Sequence, residues 1–180
     1  RTVSFFENVL VLFASLGYYA KKLLFPYPLN IAIDSINLIF YAVLGLCVLV
    51  LFALRERFLP PLFRFFAAWM LIAVSPAVAA AVLRLPWVPW AERYLYVPLV
   101  GFSMALGLWF TLFKKQHAFA AMFIFVLLTG LFWATTLHRT YVWADEVKLW
   151  ENTARQSDYG PVHYYYGKSL LYSSREAEGI

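Results

Sequence analysis

Ile36-Asn37-Leu38-Ile39-Phe40-Tyr41-Ala42-Val43-Leu44-Gly45-Leu46-Cys47-Val48-Leu49-Val50-Leu51-Phe52-Ala53-Leu54 contains no charged side chain and stops at Arg55-Glu56-Arg57. About 20 predominantly apolar residues are what an α-helix needs to cross the hydrocarbon of a bilayer. A helix apolar on every side belongs in lipid or in a large core. Working outward, the pattern recurs over Leu62–Leu83, Leu99–Phe113 and Ala118–Leu137, each ending close to Lys, Arg or His. Val3–Tyr19 is shorter and carries Glu7 and Asn8 near its start; it reads as a span, with a helix lying at the interface as the alternative. The expectation is an all-α polytopic membrane bundle of about five spans.

The composition agrees. Apolar residues are 63% of the chain and charged residues 14%, against roughly 45–50% and 25% in soluble domains. A chain of this length cannot hide so much apolar surface from water, but a bilayer can. The net charge of +5 does not point to nucleic acid, because no basic run exceeds two residues and the cations sit at span ends. There they anchor helices and set orientation. Cys47, the one cysteine, lies in mid-span and has no internal partner. The start at Arg1 and the stop at Ile180 suggest residues on either side of the chain.

Two proline-bearing loops separate the spans. Lys21-Lys22-Leu23-Leu24-Phe25-Pro26-Tyr27-Pro28-Leu29-Asn30 follows the first, and Arg84–Pro98 follows the third. Prolines break helix and force extended backbone there. Pro76 lies inside the third span and predicts a kink, which membrane bundles tolerate. Arg55, Arg57, Arg64, Lys114 and Lys115 flank very short turns and place these on the cytoplasmic side. The proline loops and everything after Arg139 then lie outside the cytoplasm, in the periplasm or its equivalent.

Residues 1–139 form the membrane domain in this reading, and 140–180 a polar helical tail. Leu149, Trp150, Thr153 and Ala154 have helical spacing. Asp158-Tyr159-Gly160-Pro161 marks a turn and a helix start, Ser173-Ser174-Arg175 a second turn, and Glu176-Ala177-Glu178-Gly179-Ile180 a further helix. Gly167 and Leu170 match the small and large positions that open a tetratricopeptide repeat. An ordinary helical hairpin fits the same residues.

The densest chemistry lies in Glu92-Arg93-Tyr94-Leu95-Tyr96-Val97-Pro98. An interfacial ion pair with aromatic anchors is one reading. The other is an arginine that binds phosphate at headgroup depth, its planar fork matching two oxygens, with Glu92 orienting it. Lys21 and Lys22 either snorkel to headgroups or supply further cations to the same anion, and His138-Arg139 fall on the same side. No metal-ligand spacing, nucleotide loop or nucleophile elbow is present. No cofactor is called for, and a divalent metal is left open. The absence of a mid-span Asp or Glu weighs against a proton-coupled transporter.

Taken in order, these pieces resemble one family, the membrane O-mannosyltransferases with tetratricopeptide repeats and their bacterial relatives, of the GT-C class of glycosyltransferases. The matching segments are Tyr18-Tyr19-Ala20-Lys21-Lys22-Leu23-Leu24-Phe25-Pro26 with Pro28-Leu29, Ala91–Pro98 with Gly101-Phe102, and Arg139, Trp143, Glu146, Leu149 and Trp150. The resemblance implies transfer of a sugar from a polyprenyl-phosphate carrier to a protein or other hydroxyl acceptor outside the cytoplasm, with the repeats holding a protein acceptor. It places the catalytic carboxylate in an outer loop upstream of Arg1, so no catalytic base is assigned here. Arg93, Lys21 and Lys22 would supply charge to a departing lipid phosphate. Trp87, Trp90, Tyr94 and Tyr96 would pack on sugar or prenyl chain. The expected partners are membrane lipids, the lipid-linked sugar and the acceptor, and no nucleic acid. The rival readings are a membrane anchor for a repeat-based scaffold and a transporter fragment.

Overall fold

The computed structural model describes residues 4–27, 33, 35–85, 90–114 and 117–177. Their regular structure is helical: α1 (Phe5–Leu24), α2 (Leu38–Arg55), α3 (Pro61–Val82), α4 (Tyr96–Lys114), α5 (Ala118–Trp143), α6 (Glu146–Ala154) and α7 (Gly160–Ala177). Short 3-10 turns occupy Glu56–Phe58 and Glu92–Leu95. The helices α2, α3, α4 and α5 are long and apolar enough to cross a membrane. Their large apolar side chains stay uncovered, among them Ile39, Leu51, Ile72, Phe119 and Trp133. Exposed apolar surface on that scale needs a lipid or protein partner; with the length of the helices it makes this a membrane protein.

Local chemistry sets the helix ends. Asn37 caps α2 by accepting from the Phe40 N–H at 3.0 Å, so the helix begins at Leu38, inside the predicted run. Pro61 opens α3, where its missing N–H costs nothing. Pro76 leaves the Ile72 carbonyl without its helical donor, and the Ser75 hydroxyl donates to that same oxygen at 2.8 Å. Thus α3 carries a proline at mid-helix with the freed acceptor satisfied. Past its end, Arg84 takes a left-handed φ of 53°, while the Leu85 N–H returns to Ala80 O at 3.1 Å. The pattern is a helix stop usually made by glycine.

The packing is uneven. At the crossing of α1 and α2, a Cβ on Gly17 would lie 2.0 Å from the Tyr41 carbonyl oxygen, and one on Gly45 would lie 2.1 Å from that of Phe13. Only glycine at both positions lets the two backbones meet this closely. The core continues from α1 into α3: Val11, Tyr18 and Tyr19 bury against Val74, Ala77, Val78 and Ala81, with Trp90 closing the cluster. The small residues of α3 are what admit the α1 aromatics.

The start of α4 lies against the middle of α3. The Trp69 indole donates to Val97 O at 3.2 Å, and Gly101 rests on Phe66, Trp69 and Met70. The α3–α4 connection therefore returns along the second half of α3, and α1 accompanies it. Glu7 meets Arg84 at 3.5 Å, Ser15 accepts from the Trp90 indole at 3.0 Å, and Lys22 pairs with Glu92. Residues 33 and 90 form an antiparallel bridge between the two proline loops. Trp87, Pro28, Leu29, Lys115 and Glu178-Gly179-Ile180 lie outside the described residues.

The tail departs from the sequence reading in one respect. Ser173, Ser174 and Arg175 are helical, so α7 is continuous through Ala177 rather than broken by a second turn. The Ser174 hydroxyl bonds back to Leu171 O at 2.9 Å, a use of serine that leaves a helix intact. Asp145 caps α6 through the Val147 and Lys148 N–H groups. Between α6 and α7, Val162 is fully buried against Trp150, Ala154 and Tyr159, and Trp150 stacks on Tyr165 at 4.8 Å. Gly167, proposed as a packing position, has open space around it.

The Gly17–Gly45 crossing is testable in detergent. Gly45→Ala should lower the unfolding temperature by at least the equivalent of roughly 1–3 kcal/mol, the usual cost of overpacking. Gly107→Ala, where a Cβ meets nothing within 4 Å, should leave it unchanged.

Candidate functional site

Three helix ends converge where the α3–α4 connection joins α4. The last turn of α1 brings Lys22 and Leu23, the 3-10 turn before α4 brings Glu92 and Arg93, and the C-terminal part of α5 brings Thr136, Arg139 and Trp143. They enclose a groove of about 620 Å³, within the roughly 300–1,000 Å³ usual for ligand sites. Its walls are mostly apolar, with Pro26, Leu95, Leu99 and Phe132 among them.

The charged floor is organised by one ion pair. Lys22 Nζ lies 2.6 Å from Glu92 Oε1, its side chain 4% exposed against 18% for Glu92. Lys22 therefore does not snorkel; burial commits it to the carboxylate. The Tyr18 ring lies 5.7 Å from its ammonium. Helical spacing puts Val11, Ser15, Tyr18 and Lys22 on one buried stripe of α1, so the ion pair is an extension of the core. Glu92 also acts electrostatically on Arg139 across the groove.

Two guanidinium groups complete the site. Arg93 is exposed and lies over the Tyr94 ring at 5.3 Å, and Arg139 lies over Trp143 at 5.5 Å. A guanidinium on an aromatic face is held in orientation while its N–H fork remains able to engage an anion. Thr135, Thr136 and Thr140 line the same groove. Their hydroxyls donate to carbonyls one turn earlier, Thr136 to Phe132 O at 2.8 Å and Thr140 to Thr136 O at 3.0 Å.

Of the residues singled out in the sequence, Lys22, Glu92, Arg93, Tyr96 and Arg139 meet in this groove. Lys21 instead donates to the Tyr27 carbonyl and lies over Phe25. His138 faces a second groove on the other side of α5. Tyr94 packs against the core cluster. Trp90 is 7% exposed and spends its N–H on Ser15, so it is a core residue and not a surface on which sugar or prenyl chain can stack. Glu92 takes Lys22 as a salt-bridge partner, seventy positions away.

Sequence reasoning missed the α5 threonines, which look like ordinary span residues until the helix is docked. It also missed the burial of the Tyr18 and Tyr19 hydroxyls. Among the described residues, no cluster of His, Cys, Asp or Glu could hold a metal ion. Comparison with protein-family models, curated proteins and solved structures returns no match.

Removing one member of a buried ion pair costs up to about 3–5 kcal/mol, because the other is left buried and unpaired. Lys22→Met should therefore lower the unfolding temperature strongly. The double variant Lys22→Met/Glu92→Met should recover at least half of that loss in the same melting experiment.

Proposed function

We propose that this chain is the membrane part of a glycosyltransferase that takes sugar from a polyprenyl-phosphate carrier and passes it to a hydroxyl acceptor outside the cytoplasm. The observation that carries the reading is the groove in which Lys22, Arg93 and Arg139 gather beside apolar walls. A lipid-linked phosphate has the same two halves, a dianionic or monoanionic headgroup and a hydrocarbon chain. Arginine is suited to the headgroup because two N–H groups can meet two phosphate oxygens at once.

In this reading α1 joins the four spanning helices as a fifth membrane-embedded element. The carrier enters from the lipid with its chain along Leu95, Leu99 and Phe132. Arg93 and Arg139 neutralise the phosphate as the glycosidic bond to it breaks, the moment at which its charge grows. Glu92 is held by Lys22 as a fixed anion that sets the position of the cations around it. The attacking hydroxyl needs a base, which this reading places outside the chain. Helices α6 and α7 begin an extracytoplasmic helical repeat that presents a protein acceptor. The resemblance to repeat-bearing O-mannosyltransferases supports the same assignment, on the segments Tyr18–Pro26 and Ala91–Pro98.

A scaffold without chemistry would use these arginines only as anchors, and lysine anchors equally well. Sugar transfer by the full-length protein separates the two. Arg93→Ala and Arg139→Ala should each lower the rate by ~10²–10³, the usual cost of losing a donor aimed at developing charge, and Arg93→Lys should be nearly as damaging. Wild-type rates in Arg93→Ala at equal expression would end the proposal. The topology has its own test. In intact cells a membrane-impermeant maleimide should label Asp158→Cys and leave Arg57→Cys unmodified until the membrane is opened.

A further inference from the structure

A second groove, of about 640 Å³, lies on the far side of the α5 C-terminal turns. Its lining is of a different kind. Tyr27, Thr135, His138, Arg139, Asn152, Arg155 and Gln156 surround it, with Ala134 as its apolar member. Thr135 and Arg139 belong to both grooves, so the end of α5 is the wall between them.

The polar groove is rich in groups that both give and accept hydrogen bonds. Asn152 and Gln156 stand one helical turn apart on α6, and the Gln156 Nε2 donates to Asn152 Oδ1 at 2.9 Å. The same Nε2 also donates to the Asn152 carbonyl at 3.2 Å, which leaves the Gln156 Oε1 as an acceptor and the Asn152 Nδ2 as a donor. Arg155 is held by Glu151 at 2.6 Å, which reduces the net positive charge offered by this side. Neutral amides, a hydroxyl and an imidazole, with a balanced Arg–Glu pair beside them, are suited to a neutral polyhydroxyl group. A bare phosphate would be better served by unbalanced cations.

We infer that the second groove receives the hydroxyl-rich group carried on the phosphate, with Asn152 and Gln156 reading its hydroxyls, while Arg139 at the dividing wall meets the phosphate and the first groove takes the hydrocarbon. This inference rests on the lipid-phosphate reading of the first groove and adds to it the place of the sugar. It also gives α6, outside the spans, a part in donor selection. A hydroxyl-rich group on a phosphate occurs both in a glycosylated polyprenyl phosphate and in phosphatidylinositol; the inference commits to the former.

The test uses the full-length protein in nanodiscs of phosphatidylcholine and measures binding of a short-chain polyprenyl phosphate and of the same carrier bearing a hexose. Wild type should bind the glycosylated carrier about tenfold tighter. Asn152→Ala/Gln156→Ala should abolish that difference and leave the bare carrier unchanged. Ala134→Trp, which fills the groove from α5 without removing a polar group, should do the same and guards against a folding defect on α6. Arg93→Ala should weaken both carriers equally. If wild type binds the bare carrier but gains nothing from the hexose, or if both variants keep the gain, the sugar assignment fails and the headgroup groove stands. If wild type binds neither carrier, both readings fail. Tighter binding to discs containing phosphatidylinositol, without discrimination between the two carriers, would give the polar groove to a membrane lipid and overturn the assignment to a donor sugar.

Discussion

The salt bridge between Lys22 and Glu92 is the constraint on which the arrangement of the site depends. It joins the end of α1 to the 3-10 turn that opens α4, across seventy positions of sequence. Above it, the Trp90 indole reaches Ser15, whose hydroxyl in turn donates to Val11 O at 2.8 Å. These two links fix the α3–α4 connection against α1, and the connection carries Arg93. Burial makes such polar links hard to exchange, because a lost partner has no water to replace it. Placement of the arginine thus follows from a core built on α1 and the small residues of α3.

The sequence made the membrane class legible through unbroken apolar runs such as Ile36–Leu54. The grouping of Lys22, Arg93 and Arg139 was also legible, since all three stand at or beside the ends of apolar runs. The partner of Glu92 was not. Adjacent Glu92-Arg93 draws attention to a local pairing, and only the return of the connection along α3 brings Lys22 to Glu92. Trp90 misled for a related reason. An interfacial belt and a buried core both favour tryptophan, and the choice between them depends on Ser15 lying opposite. The Ser173-Ser174 turn failed because serine can bond within a helix as readily as it can end one.

A second feature unites fold and chemistry. The C-terminal part of α5 is polar on two sides, with Thr136, Arg139 and Thr140 toward one groove and His138 toward the other. The helix runs on to Trp143 before the Asp145 cap starts α6. The Tyr141 hydroxyl beside Lys148 holds that ammonium above the usual lysine range. It lies 4.2 Å from the Tyr141 ring and 3.7 Å from Asp145, and fastens the polar tail to the spanning helix. The spanning helix and the tail are therefore joined close to the charged groove.

The most direct test of the central claim is to find where a polyprenyl phosphate lies on the protein. A photoreactive analogue with its reactive group near the phosphate, irradiated with the full-length protein in a bilayer and mapped by peptide mass, should label Leu23, Leu99 or Phe132, and excess unlabelled polyprenyl phosphate should suppress the adducts. Labelling confined to the lipid-facing side chains of α2, unaffected by competitor, would contradict the account.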